Sequence, residues 1–210
     1  MAGKLEKQEK EMENKTSKQL IQFIVFVLVI AAIAYAVYKF TAPADTHQYD
    51  KYNGYDFMYD EEQKLWFSTL QIEEQPFIIP FYFHPKDLEY IPVQKDIEDT
   101  LYQKKPKNVI ITLPFNDTSS IVIAAIELSK ITGERFKILE IPTSSAFNEY
   151  LQGFPLATCD NSSDDTLVIN FEKSETSRIR SEGRCIILEY AQNESIKVAD
   201  NLAYHILKIM

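Results

Sequence analysis

"VIITLPFNDTSSIVIAAIELSKITG", residues 109–133, decides the fold. The VIITL run stops at Pro114, a short polar cluster follows, and a second apolar run of different character begins at Ser119. VIITL is short, continuous and rich in β-branched residues, the pattern of a strand covered on both faces. Between Ser119 and Thr132 only Glu127 and Lys130 are charged, and Gly133 follows as a C-terminal helix cap. "FKILEI" (136–141) then reads as the next strand. Strand, helix and strand within about thirty residues predict a β-α-β unit with parallel strands and a right-handed crossover.

The elements to either side extend this unit. "PTSSAFNEYLQGF" (142–154) opens on capping residues and reads as a short helix ended at Gly153. "TLVINF" (166–171) reads as a further strand, and "SRIRSEGRCIILEY" (177–190) as a hairpin turning at Glu182-Gly183. Ile196, Ala199, Leu202, Ala203 and Ile206 fall on one face of a C-terminal helix. Upstream, "YDFMY", "LWFSTLQI" and "FIIPFYF" are separated by polar turns and predict an antiparallel meander. Pro80 makes the third of these an edge or bulged strand, because proline cannot donate to a ladder. Trp66, Phe67, Phe77, Phe81 and Phe83 are read as packing residues, and Ile97 with Leu101 mark a short helix. The fold class is α/β (α+β mixed): a meander, then a mixed sheet covered by helices.

Residues 20–38, LIQFIVFVLVIAAIAYAVY, contain one strongly polar side chain, Gln22. Such a run matches the roughly 30 Å hydrocarbon core of a bilayer. Tyr35 and Tyr38 stand where amphipathic rings suit the interface. The competing reading is a cleaved signal peptide, but its apolar region usually runs about 7–15 residues. Lys10, Lys15 and Lys18 precede the run, against Lys39 and Lys51 after it, which favours a cytoplasmic N-terminus. The expected map is a cytoplasmic tail (1–19), a transmembrane helix (20–38), a juxtamembrane linker (39–53) and an extracytoplasmic domain (54–210).

Composition bounds the rest. The chain has 210 residues, 45% hydrophobic, and a formal net charge of −9. Roughly 160–170 residues beyond the apolar run suffice for one domain with its own core. The acidic balance argues against nucleic-acid binding, which needs a basic footprint. Cys159 and Cys185 both lie in the distal domain. In an oxidising compartment they read as one disulfide, closing a loop of about 25 residues and contributing on the order of 3 kcal/mol. In a reducing compartment they would be two buried thiols. Sequons occur at Asn116, Asn161 and Asn193, and at Asn14 before the apolar run.

The order "YNGYDF…LWFST", "PKDLEYIPV", "VIITL…AAIELSKITG" and "CIILE…IKVADNLAYHILKIM" resembles uncharacterised archaeal single-pass membrane proteins. The resemblance covers most of residues 52–210 and implies an archaeal surface setting. It carries no catalytic signature and transfers no functional residue.

No residue is singled out as catalytic. His47, His84 and His205 share no ligand spacing, so no metal site is expected, and no motif implies a cofactor. Two loops are candidates by position, since ligands of open α/β sheets bind beyond the carboxyl ends of the parallel strands. One contains Asn116, Asp117, Thr118, Ser119 and Ser120; the other contains Thr143, Ser144 and Ser145. Asp117, Thr118, Ser119, Thr143 and Ser144 are the candidate ligand-binding residues, with helix capping as the competing role. Arg178 and Arg180, two apart on a strand, share a face that suits a carboxylate or phosphate, or simply solvates an exposed edge. The expectation is a tethered binding or scaffold subunit of a cell-envelope assembly, in contact with lipid and other membrane or envelope proteins. The alternative is an anchored hydrolase or transferase acting on envelope sugars.

Overall fold

The computed structural model describes residues 22–39, 47–72, 74–95, 97–102, 105–117 and 119–210. The tail 1–19, with the Asn14 sequon, and Thr118 lie outside the described residues. The chain divides into two units, Met1–Asp45 and Thr46–Met210.

In the first unit, helix α1 (Gln22–Lys39) has 18 residues and a mean hydropathy of 2.0, and none of it is buried by protein. It rises about 27 Å at 1.5 Å per residue, close to a bilayer's hydrocarbon thickness. A helix apolar on every side, with no protein around it, has the length and composition of a membrane anchor or a signal sequence.

The second unit holds two sheets. Strands β1 (Gln48–Tyr52), β2 (Tyr55–Asp60), β3 (Leu65–Ile72) and β4 (Gln75–Phe81) form an antiparallel meander in the order β1-β2-β3-β4. Residues 48–52, read from sequence as part of the 39–53 linker, are thus the first strand. Pro76 and Pro80 both sit on edge strand β4, opposite Gln71 and Phe67, where a missing N–H costs the ladder nothing on its solvent side. A short helix α2 (Asp99–Tyr102) leads into β5 (Asn108–Leu113), α3 (Ser119–Thr132), β6 (Thr143–Phe147), β7 (Thr166–Lys173), β8 (Arg178–Glu182), β9 (Cys185–Tyr190) and α4 (Ser195–Ile206). The second sheet runs β6-β5-β7-β9-β8. All its neighbours are parallel except the β8–β9 hairpin.

The β-α-β unit is present, but its second strand is not "FKILEI". Residues 136–140 form turns with Lys137 and Glu140 at φ 53° and 50°, left-handed values that extended chain does not adopt. Phe136, Leu139 and Ile141 are apolar because this turn packs them into the core. The strand is Thr143–Phe147, inside the stretch expected to be a helix. Its register is fixed by the pairing of Val109 with Thr143 and of Leu113 with Phe147.

Helices α3 and α4 pack on each other and lie between the sheets. Ile121, Leu128 and Ile131 of α3 and Val198, Leu202 and Ile206 of α4 join Ile111, Ile169 and Leu188 of the larger sheet in one core with Phe57, Ile79 and Phe81 of the meander. This explains why α4 is buried on its polar side too. Asp200 Oδ2 accepts from the N–H groups of Tyr82 and Phe83 at 2.8 and 2.9 Å. Asn201 Nδ2 donates to Leu88 O at 2.9 Å, and Tyr204 Oη donates to Phe83 O at 2.7 Å. Tyr204 also stacks on Phe81, with centroids 4.3 Å apart. These polar side chains satisfy backbone groups where the chain leaves β4.

Candidate functional site

The far face of the larger sheet, away from the helices, carries polar side chains at its centre. Strand β7 offers Asn170 and Glu172 on this face, β9 offers Cys185, Ile187 and Glu189, and β8 offers Arg178 and Arg180. Thr112 Oγ1 donates to Asn170 Oδ1 at 2.6 Å, and Asn170 Nδ2 donates to Glu172 Oε1 at 2.7 Å. Arg180 bonds Glu189 at 2.6 Å, also pairs with Glu182, and lies 3.7 Å from Glu172. Arg178 grips Glu189 through two nitrogens, at 2.5 and 2.9 Å. The Arg178 hydrogen bond, helped by Arg180, holds the Glu189 carboxyl below the usual carboxylate range. The two arginines share a face as their spacing predicts, but the carboxylates they meet are the protein's own.

Segment 147–161 crosses this face and is tied down along its length. Phe147 donates to Pro155 O and accepts from Ala157 N–H, both at 2.9 Å. Asn148 Nδ2 donates to Phe171 O at 3.1 Å. Gly153 turns the chain at φ 85°, which a side chain would strain. The Cys159–Cys185 disulfide, with Cα atoms 5.3 Å apart, fastens the far end over Val168 and Ile187. Thr158 and Asn161 form a capping box there, with Asn161 Oδ1 accepting from Thr158 N–H at 2.8 Å.

Two surfaces result. One is a cleft of about 370 Å³ whose walls include Asn148, Glu149, Asp160, Glu172, Arg180 and Glu182. Its charged groups are mostly acidic, so it favours cations and hydrogen-bond donors over phosphate. The other is apolar. Phe115, Phe147 and Phe154 stack edge to face, with centroids 5.8 and 5.4 Å apart. Tyr150 is 81% exposed, Phe154 58% and Leu156 50%, on a segment that is otherwise firmly held.

The sequence-derived candidates do not come together. Asp117 accepts a hydrogen bond from Tyr190 Oη, and burial together with Asp117 pushes the Tyr190 phenol well up. Ser119 is the exposed first residue of α3. Thr143 and Ser144 are not in a loop beyond a strand. They open β6 beside Val109 and Ile110, at the amino end of β5. About 13 Å of strand separates that end from the chain leading to Asp117. Thr143 Oγ1 bonds Ile141 O and Thr132 Oγ1, both at 2.9 Å, closing the α3–β6 turn. Among the described residues no three His, Cys, Asp or Glu side chains are placed to hold a metal ion. Of the sequons, Asn116, Asn161 and Asn193 are exposed. Ser195, the hydroxyl residue of the Asn193 sequon, is buried with its Oγ 3.0 Å from Ser120 Oγ.

The sequence signals for this site were the alternation of Arg178 and Arg180 and the pairing of Cys159 with Cys185; Phe115, Phe154 and Leu156 sit in loops without periodicity. No family model, no curated protein and no solved structure matches the chain.

Proposed function

We propose that the chain is a membrane-tethered extracytoplasmic binding or scaffold subunit of a cell-envelope protein assembly. In this reading α1 is a retained anchor surrounded by lipid, the N-terminus is cytoplasmic, and Thr46–Met210 is exposed to an oxidising exterior. The disulfide fits an oxidising side, and the exposed Asn116 and Asn161 fit glycan acceptors there. An archaeal surface is the setting that the resemblance suggests.

The observation that carries the proposal is the apolar surface of Phe115, Phe154 and Leu156 around Phe147. Large aromatic and aliphatic side chains held half-exposed on a stapled segment mark a protein-binding surface, because folding alone gains nothing from leaving them in water. Their ordering is already complete before binding, so little entropy is lost on association. Among the described residues, the 116–120 and 143–145 segments lie at opposite ends of β5, which favours the binding reading over a sugar-directed hydrolase or transferase built on both. Isolation of the full chain from native membranes in mild detergent tests the binding role. Phe154→Asp with Leu156→Asp should lower recovery of a co-purifying envelope protein about tenfold or more, with an unchanged melting profile. Equal recovery by wild type and variant overturns the proposal.

A further inference from the structure

The meander has a second face, turned away from the helices. Antiparallel sheets with one face in water place apolar residues inward and polar residues outward. On the inner side Phe57, Ser68 and Ile79 pair in one row, and each is 1% exposed. The neighbouring outer row breaks the alternation. Tyr49 pairs with Met58, Met58 with Phe67, and Phe67 with Pro80, so aromatic and apolar residues cross all four strands in register. Ile78, two residues before Pro80, widens the row along β4. Tyr49 is 67% exposed and Ile78 62%, and Met58 and Phe67 between them are half-buried. The charges beside the row are neutralised or tied down. Lys51 pairs with Asp56 at 2.8 Å, and Asp60 accepts from the N–H groups of Glu62 and Gln63 in its own turn. A contiguous apolar row on an open sheet face marks a contact surface.

We propose that this face lies against the lipid bilayer, with the row at the boundary between headgroups and acyl chains. The inference rests on the reading of α1 as a retained anchor. Two observations choose lipid over another protein. The first is chain length. Helix α1 ends at Lys39 and β1 begins at Gln48. Nine residue steps reach at most about 32 Å, so a chain anchored through α1 keeps Tyr49 close to the membrane surface. The tether thus supplies a high effective concentration of lipid at this face. The second is area. Four strands about 4.8 Å apart and about six residues long give a face of roughly 400 Å². Two such faces packed together bury about 800 Å² in total, short of the roughly 1,200 Å² of a stable protein interface. A bilayer sets no such threshold, because the face is a second attachment added to the anchor. The side chains suit the boundary as well. Tyr49 is apolar along its ring and polar at its hydroxyl, and Met58, Phe67 and Ile78 gain from leaving water. A nearly neutral row also avoids the repulsion that a chain of net charge −9 meets at anionic lipid.

The test uses the full chain reconstituted into phosphatidylcholine vesicles. Both cysteines are held in the disulfide, so Ile78→Cys takes one environment-sensitive fluorophore, and Glu175→Cys, exposed between β7 and β8, serves as the control. A lipid carrying a nitroxide near the top of its acyl chain should quench the Ile78 probe about threefold more than the Glu175 probe, with a blue shift at Ile78 alone. Met58→Thr with Phe67→Thr keeps strand-forming residues and should lower the Ile78 quenching to the Glu175 level. Melting of the unlabelled chain through Trp66, the single tryptophan, should show that this pair leaves the domain folded. Equal quenching at the two positions, or Ile78 quenching untouched by the paired substitution, overturns the proposal. A blue shift at Ile78 without nitroxide quenching also overturns it and marks a protein on this face, a second copy if the shift grows with the protein-to-lipid ratio. Release of the chain from the vesicles by alkaline carbonate would remove the anchor and this proposal together, whereas a retained chain with an unquenched Ile78 probe would remove this proposal alone. Phe154→Asp with Leu156→Asp should leave the Ile78 signal intact, so docking at the Phe154 surface fails separately.

Discussion

Replacing Asp200 with asparagine is expected to make the protein more stable at neutral pH, by an amount that grows with pH. Asp200 is fully buried on α4, and burial pushes its carboxyl up from 3.8 to about 8, with Glu127 adding to the rise. The N–H groups of Tyr82 and Phe83 and the charge of Lys130 pull the other way and do not win. Lys130 is already engaged by Glu127 at 2.6 Å. The folded state thus holds a proton that the unfolded chain releases above pH 3.8, so stability is full below that value and is lost as pH rises through 8. At about 1.4 kcal/mol per pH unit, this group alone removes on the order of 4 kcal/mol between pH 4 and pH 7. Relaxation around the ion makes that a ceiling. Asparagine copies the protonated acid: its Oδ1 can accept from both N–H groups and its amide occupies the place of Oδ1, which has no partner. Urea unfolding of the detergent-solubilised chain, followed through Trp66 from pH 4 to 8.5, reads the difference. Wild type and Asp200→Asn should coincide near pH 4 and diverge steadily above it. A pH-independent gap, or a variant less stable throughout, would show that Asp200 is ionised in the fold and refute the reasoning.

Three other outcomes follow from the same packing. Cys159→Ser with Cys185→Ser should cost on the order of 3–4 kcal/mol, from the separation of 26 residues, and should loosen segment 147–161 first; hydrogen exchange checks both. Burial holds the His84 imidazole below its usual range, against the pull of Asp50, and its ring lies 4.6 Å from Trp66. The unfolded chain binds that proton more readily, so stability should fall as pH drops below about 6.5, and His84→Phe should flatten that limb of the unfolding profile. Asn170→Leu should cost about 1–3 kcal/mol by leaving the buried Thr112 hydroxyl unpaired. Adding Thr112→Val should restore much of that loss, a non-additivity that denaturant titration of the double cycle measures.

The sequence was legible where the chemistry of an element is local. α1, the β2–β4 meander, β5 with α3, the β8–β9 hairpin and α4 all announce themselves through apolar period or turn residues. β1, QYDKY, did not, because it is an edge strand wet enough that no apolar alternation marks it. β6, TSSAF, is short, small and mostly polar, and only the open edge of β5 makes it a strand. "FKILEI" misled for the converse reason: core-facing turn residues imitate a strand's composition while Lys137 and Glu140 reverse the backbone. The same displacement moved Thr143 and Ser144 to the wrong end of the sheet for a shared site with Asp117. The polar face joins Thr112, Asn148, Asn170 and Glu189, which are scattered along the chain and brought together only by the parallel register. The cysteines were readable as a pair, and the arginines as a shared face, because each needed only strand spacing.

The binding account is tested most directly at Phe154 in intact native membranes. A photo-reactive residue placed there should form an adduct with another envelope or membrane polypeptide. The same residue at Glu62, in the β2–β3 turn, should not. Absence of a protein adduct at 154, or the same adducts at both positions, would contradict the claim that the Phe115–Phe154–Leu156 surface is a docking site.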